Sequence, residues 1–386
     1  MFAFDHVTHL SVYANRPYRQ LERHPQGMTS QSDASLQNNS TVFTVCGEPE
    51  DAGIASQIQT LVDSAQTIVI TGHERPDGDC IGTEVGLCSI LLNIGKNAGI
   101  VNSDSTPPKY TNLDPAGVIV KHRPGEPLGL IDPVTGQHRP ADLIFVVDST
   151  DLKRIGKITQ ADFGSAKVVN IDHHPGNPMF GDVNFVDTRA AAAAELIWRL
   201  ASERRWPVPP LAREALYTGL VTDTGHFAFS NTTPRVLRMA AELRETGVDG
   251  DAIWRRIFLN KSRAELDLET RARASLEVLA NGRIACIGVR NSDFIATGTT
   301  PQNAEDFTSI PRMLAGVELA LFFYELDGGA ATKVSLRSTH NIDAGALARS
   351  FGGGGHRVAS GCSLPLPLDA AKAKFLATAE TFLCTQ

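Results

Sequence analysis

Short, unbroken runs of Val, Ile, Leu and Phe punctuate this chain from Gly53 onward, and between them apolar positions recur at helical spacing. Runs that are apolar at every position suit strands buried on both sides. The alternation therefore predicts an α/β fold, a parallel sheet with helices on both faces. The candidate strands are 67–72, 98–101, 117–121, 143–147 and 168–171. Helical spacing fits 82–92, 190–203, 211–220 and 234–245, the last opening on a proline that a first helical turn tolerates. The alanine run at 190–194 reads as helix propensity. Segment 124–140 carries four prolines and little periodicity, as expected of a surface excursion between strands.

Past residue 250 the pattern changes. Two helical pieces, 251–258 and 263–279, alternate Arg with Asp or Glu along a solvated face and read as a connector. Strand-like runs at 283–289, 317–325 and 332–338, closed by a helix at 368–383, predict a smaller second α/β unit. The expected organisation is an N-terminal extension over 1–50, a first domain over 51–250, a helical connector over 251–280 and a second domain over 281–386. Within the extension, 25–41 is rich in Ser, Gln and Asn without apolar periodicity, which predicts disorder, and Met28 offers a second start.

A length of 386 residues agrees with two domains. The net charge of −7 lacks the basic balance that long duplex nucleic acid calls for, so any phosphate substrate must be captured locally. Six cysteines without a CxxC pair fit reduced thiols. No apolar run approaches the roughly 20 residues needed to cross a bilayer, and the first residues are unlike a signal peptide. The expectation is a cytoplasmic protein with no membrane partner.

The chemistry-bearing residues cluster where predicted strands end. After 67–72 come His73, Asp77 and Asp79, with Gly78 letting the backbone turn between the two carboxylates. Asp148 follows LIFVV, Asp172-His173-His174 follows VVNI, and Asp223 lies in GLVTDTGHF. Ligand sites of open α/β sheets gather beyond the carboxyl ends of the strands. Carboxylates brought together there would repel unless cations neutralised them. Mixed carboxylate and imidazole donors without a thiolate pair suit two divalent cations, Mn²⁺ first, Mg²⁺ or Co²⁺ next. A carboxylate shared by two ions with a hydroxide between them is a means of phosphate-ester hydrolysis.

HERPDGD, VVDST, IDHH and GLVTDTG, in that order, resemble the four motifs of the DHH phosphoesterase superfamily, and GGGGHRVASGC at 352–362 resembles its DHHA1 subtype. The resemblance runs from about Gly53 to the C-terminus and is strongest to the short oligoribonuclease and pAp-phosphatase subgroup. It implies a DHH catalytic domain joined to a DHHA1 substrate-binding domain. It also implies His73, Asp77 and Asp148 on one metal, and Asp79, Asp148, His173 and Asp223 on the other, with Asp148 as bridge. Asp172 would orient an imidazole, and His174 would face the substrate phosphate. Gly353, Gly354, Gly355 and His356 would contact substrate, and Arg337 would grip a phosphate. The substrate would then lie in a cleft between the two domains, and a homodimer is compatible with the resemblance.

Each feature alone has a plainer reading: a capping residue for a lone DHH, a flexible turn for GGGG, a strand-edge ion pair for Arg337, a buried filler for Cys80. Their ordered combination reverses that weighting. His226 is a weaker candidate. Trp198, Trp206 and Trp254 read as packing residues, although an aromatic near the cleft could stack a base, and none is singled out as a platform. The leading expectation is hydrolysis of short oligoribonucleotides to 5′ mononucleotides with pAp 3′-phosphatase activity. The alternatives are linear or cyclic dinucleotide hydrolysis, inorganic pyrophosphate hydrolysis, or nucleotide sensing without turnover.

Overall fold

The computed structural model describes residues 48–384 apart from 115, 116, 118, 133, 340 and 356, so the expected disorder over 1–50 lies almost entirely outside the described residues, as do Met28 and the His356 assignment. The chain divides into two units at Leu259/Asn260.

The first unit is built on strands β1 (Ile68–Thr71), β2 (Ala98–Asn102), β3 (Val120–Lys121), β4 (Gly129–Ile131), β5 (His138–Pro140), β6 (Leu143–Val147), β7 (Lys167–Asp172) and β8 (Val183–Val186). Six of them form one sheet in the order β3-β2-β1-β6-β7-β8, and every neighbouring pair is parallel. The helices are α1 (Asp51–Ser64), α2 (Gly78–Asn93), α3 (Ala193–Arg204), α4 (Pro210–Asp223), α5 (Pro234–Glu245) and α6 (Gly250–Phe258). Strand residues divide by parity. Ile68, Ile70, Leu143, Phe145, Val147, Val169 and Ile171 face the main core with α1 to α5. Val69, Ile144 and Val146 face a smaller core under one-turn 3₁₀ helices and the β4–β5 hairpin. The proline-rich excursion thus closes that second face.

The strand order has a functional consequence. From β1 the chain builds outward through β2 to β3, then returns to lay β6, β7 and β8 on the other side. The switch point falls between β1 and β6, and ligands bind at such crevices because the loops diverge there.

The second unit comprises α7 (Arg263–Ala274), β9 (Glu277–Leu279), β10 (Ile284–Val289), α8 (Asn291–Thr297), α9 (Ser309–Arg312), β11 (Leu319–Leu326), β12 (Ala331–Ser338), α10 (Ala344–Arg349), β13 (Gly354–Gly355), β14 (Ala359–Leu364) and α11 (Leu368–Cys384). Its mixed sheet runs β13-β14-β12-β11-β10-β9, with only β10–β11 parallel. The expected helix over 263–279 ends at Ala274, and Glu277–Leu279 pairs with β10 as a strand instead.

Two glycines separate close packing from propensity. A Cβ on Gly82 of α2 would stand 2.4 Å from the Ala215 carbonyl oxygen and 2.9 Å from the Gly219 nitrogen of α4. A Cβ on Gly53 of α1 would meet nothing within 4 Å. Gly82→Ala should therefore lose about 1–3 kcal/mol by overpacking against backbone, while Gly53→Ala should gain up to about 1 kcal/mol from helix propensity. Denaturant midpoints of the two variants should move in opposite directions, and a shared direction would contradict this packing.

Candidate metal centre

The rim beyond β1, β6 and β7 collects the predicted side chains of the first unit. Gly72 ends β1 with no room for a Cβ, which would lie 2.2 Å from Cys80 Sγ, and the chain then turns His73 inward. The Nδ1 of His73 donates to the Glu74 carbonyl oxygen at 2.8 Å, which turns Nε2 toward the carboxylates. That Nε2 lies 3.4 Å from Asp148 Oδ2 and 3.8 Å from Asp77 Oδ1. Asp77 caps α2, its Oδ1 accepting from the backbone N–H of Asp79 and Cys80 at 3.0 and 3.1 Å.

Asp79 is fully buried and does for α3 what Asp77 does for α2. The N-cap of α3 is Ala192, which has no capping oxygen, and Asp79 accepts instead from the N–H groups of Ala193 and Ala194 at 2.5 and 3.0 Å. The alanine run does more than favour a helix, since it lets α3 begin against a carboxylate from α2. A Cβ on Gly219 of α4 would collide with both Asp79 Oδ1 and the Ala194 methyl at 2.7 Å.

Asp148 follows β6 with φ of 50°, a left-handed backbone that costs a non-glycine residue about 1–3 kcal/mol. Its N–H donates to the Ile171 carbonyl at 2.9 Å, which holds the turn beside β7. The carboxylate is 1% exposed, and among the described residues no donor reaches Oδ1 in hydrogen-bond geometry: His173 Nε2 and His174 Nδ1 both stand 3.5 Å away. His173 Nε2 also faces Asp223 Oδ2 at 3.3 Å and Asp79 Oδ2 at 3.8 Å, while its Nδ1 lies 3.3 Å from the Ala190 carbonyl oxygen. Asp172, at the end of β7, holds His174 Nδ1 at 2.8 Å and accepts from Asn177 Nδ2 at 2.7 Å. Asn177 escaped the sequence reading, although the Pro-Gly turn before it was the available signal.

Crowding divides these groups electrostatically. Burial, then the Asp148 charge, raises Asp79 to about 7. Burial, then the Asp79 charge, pushes Asp223 well up. Burial alone would raise Asp148 too, but the facing imidazoles of His173 and His73 override it and hold the carboxyl well below the usual range. Burial would lower His73 and His173, yet Asp148, with Asp77 beside the first and Asp223 beside the second, raises both. The facing carboxylates thus favour the protonated form of both imidazoles.

Ligand atoms lie within 4.8 Å of one another in three overlapping groups: His73, Cys80 and Asp148; Asp148, His173 and His174; and Asp79, His173 and Asp223. Cys80 is fully buried, and its Sγ lies 3.8 Å from Glu84 Oε1. Burial, then the Glu84 charge, pushes its thiol well above the ordinary range, so it fills space as a neutral thiol. Glu84, itself raised to about 8 by burial, accepts from Asn102 Nδ2 at 2.9 Å beneath the site. Neither Glu84 nor Asn102 stood out in the sequence.

In the second unit, Arg337 lies on β12 opposite Ala320 and Ala359. Its Nη1 donates to the Leu336 carbonyl at 3.0 Å, and it makes no ion pair within 4.0 Å among the described residues. Burial, then the nearby Arg312 charge, lowers its pKa. Gly353 approaches β14 so closely that a Cβ would lie 2.2 Å from the Gly361 carbonyl oxygen, and Gly354 and Gly355 pair with Gly361 and Ser360 as a short edge strand. Close approach to β14 thus accounts for the lack of a side chain at 353 and 355, whereas a Cβ on Gly354 would meet nothing within 4 Å. His356 lies outside the described residues. Among the described residues no helix is long and apolar enough to cross a membrane.

The pattern of the DHH family, N-terminal domain, matches residues 67–220, and that of the DHHA1 domain matches residues 292–384. A Bacillus subtilis protein named bifunctional oligoribonuclease and PAP phosphatase NrnA is 29% identical over 301 residues, covering 77% of this chain and 89% of that protein. Its namesake from Thermus thermophilus is 30% identical over 317 residues, covering 80% of this chain and 88% of that protein. Among solved structures, an exopolyphosphatase-related protein from Bacteroides fragilis superposes with a TM-score of 0.75 at 24% identity, covering 85% of this chain and 96% of that one, a likeness of fold.

The electrostatics set a pH dependence for protein kept free of metal. Asp79 and Asp223 have folded-state pKa values above their unfolded ones, so each destabilises the fold increasingly as pH rises from about 4 toward its folded value, about 7 for Asp79. The raised His73 and His173 act in the same sense, their stabilisation fading as pH rises through their folded values. In chelator, the urea midpoint should fall between pH 5 and pH 8. Saturating Mn²⁺ should reverse that slope, because ligands bind metal deprotonated. A midpoint independent of both pH and Mn²⁺ would refute the electrostatic picture.

Proposed function

The chain belongs to the DHH family of phosphoesterases, and we propose that it hydrolyses short oligoribonucleotides to 5′ mononucleotides and removes the 3′-phosphate of pAp. The observation that carries the reading is Asp148, a buried carboxylate set in left-handed backbone between His73 and His173, with one oxygen that no donor among the described residues satisfies. A buried charged oxygen is costly unless something neutralises it. The donor set around it, imidazoles and carboxylates with the one thiol held neutral, fits two hard or borderline divalent ions, Mn²⁺ before Mg²⁺ or Co²⁺. His73, Asp77 and Asp148 would hold one, and Asp79, Asp148, His173 and Asp223 the other. Bound there, such ions supply Lewis-acid stabilisation of the phosphoryl oxygens and make water acidic enough to attack near neutral pH.

The remaining roles belong to the protein's own groups. Asp172 fixes His174 through Nδ1 and so presents the opposite ring edge to the substrate phosphate, where charge develops in the transition state. Asn177 holds the second oxygen of Asp172, which keeps that carboxylate from swinging toward the cations. In the second unit, Arg337, half-buried and with no ion pair within 4.0 Å among the described residues, is suited to a phosphate. Gly353, Gly354, Gly355 and His356 would line the same substrate-binding region.

Incubation with Mn²⁺ and a 5′-labelled RNA series from dimer to pentamer, with pAp, pApA and pyrophosphate in parallel, tests the assignment. Mononucleotide release from the short RNAs and phosphate release from pAp are expected, and Asp148→Ala should lose both by at least about a thousandfold, removing ligands from both ions at once. Fast cleavage of pyrophosphate alone, or binding without turnover, would overturn the proposal. Arg337→Ala should raise KM for RNA more than it lowers kcat, and steady-state kinetics that leave both constants untouched would remove that residue from the substrate site.

A further inference from the structure

The turn that leaves the candidate metal centre after Asp223 is left-handed at three successive residues, with φ of 54° at Gly225, 61° at His226 and 63° at Phe227. Consecutive non-glycine residues in that region are uncommon and persist only where the surroundings over-determine them. Here they do. His226 N–H donates to the Val221 carbonyl at 2.9 Å, Phe227 N–H to Thr224 Oγ1 at 3.0 Å, and Asn231 Nδ2 to the Asp223 carbonyl at 3.1 Å.

The twist sends two neighbouring rings in different directions. Phe227 packs on Tyr217, with centroids 6.2 Å apart, while His226 meets α6, its centroid 3.6 Å from Phe258 and 6.3 Å from Trp254. Trp254 and Phe258 are 6.4 Å apart. Of the three tryptophans, Trp198 and Trp206 are buried in the core, whereas Trp254 is 37% exposed. Phe229, in the same turn, is 48% exposed. His226 follows Asp223 by three residues, so their Cα atoms are at most about 11 Å apart, within the reach of a nucleotide whose phosphate is at the centre. On the same helix, Arg255 pairs with Asp251 and Arg256 with Glu214.

We propose that Trp254, seated against Phe258 and His226, is a stacking platform for a nucleobase of the substrate. The proposal rests on the phosphoesterase reading and deepens it. A base-stacking face is tolerant of sequence, since every base has a π-surface, and it gives base-bearing esters an advantage over base-free ones.

Two measurements on the Mn²⁺-loaded full chain test it. Tryptophan fluorescence titrated with AMP and with ribose 5-phosphate should be quenched by AMP alone, and Trp254→Phe should abolish that quenching without lowering the melting temperature. In kinetics, wild-type protein should favour pAp over ribose 3,5-bisphosphate by about 5- to 150-fold in KM, and Trp254→Ala should collapse that preference toward unity. AMP quenching that survives in Trp254→Phe, or a pAp preference that Trp254→Ala leaves intact, would overturn the platform. Failure to turn over any ester would instead overturn the function assigned above, and the fluorescence arm would still read the platform by itself.

Discussion

Repulsion among carboxylates at one sheet rim is the constraint around which the first unit is organised. Asp77, Asp79, Asp148 and Asp223 arrive from the start of α2, the end of β6 and the end of α4, and His73 and His173 stand among them. Three of the acids are restrained by something that would be unnecessary in a neutral crevice: a helix N-terminus for Asp77, another for Asp79, a left-handed turn for Asp148. Helix N-termini favour negative charge, so the scaffold offsets part of the repulsion before any cation arrives. It leaves Asp148 Oδ1, 3.5 Å from His173 and His174, without a hydrogen bond among the described residues.

The same chemistry gives like residues unlike roles. Asp148 and Asp172 end adjacent strands and are both buried, yet Asp172 has both oxygens occupied, by His174 and Asn177, while Asp148 does not. One carboxylate is held as a fixed support and the other kept available, a division that environment makes without any change of residue type.

Much of this was legible in the chain. Strand 143–147 coincides with β6 because unbroken apolar runs admit few other environments, and helix 234–245 coincides with α5 because its proline and amphipathic spacing agree. Helix α1 went unread, since DAGIASQIQTLVDS is polar or glycine at many positions and follows closely on the expected disordered extension. Strand β14 went unread because ASGCSL consists mostly of small and polar residues, and its sheet pairing, which the sequence does not display, defines it. At the site, the acids and imidazoles could be named because the side chain itself carries the chemistry. The contact of Asp79 with the start of α3 could not, since it joins a side chain to backbone groups more than a hundred residues away, and backbone groups leave no trace in residue identity.

That contact bears on how descendants of this chain should be judged. Asp79 belongs to the architecture as well as to the proposed metal site, so selection for foldedness alone would retain it after catalysis had decayed. Asp148 has no such insurance: its awkward torsion and unsatisfied oxygen are burdens unless ions are bound. Between two diverged copies, an intact Asp148 is the stronger witness to a living enzyme, and Asp79 testifies mainly to ancestry.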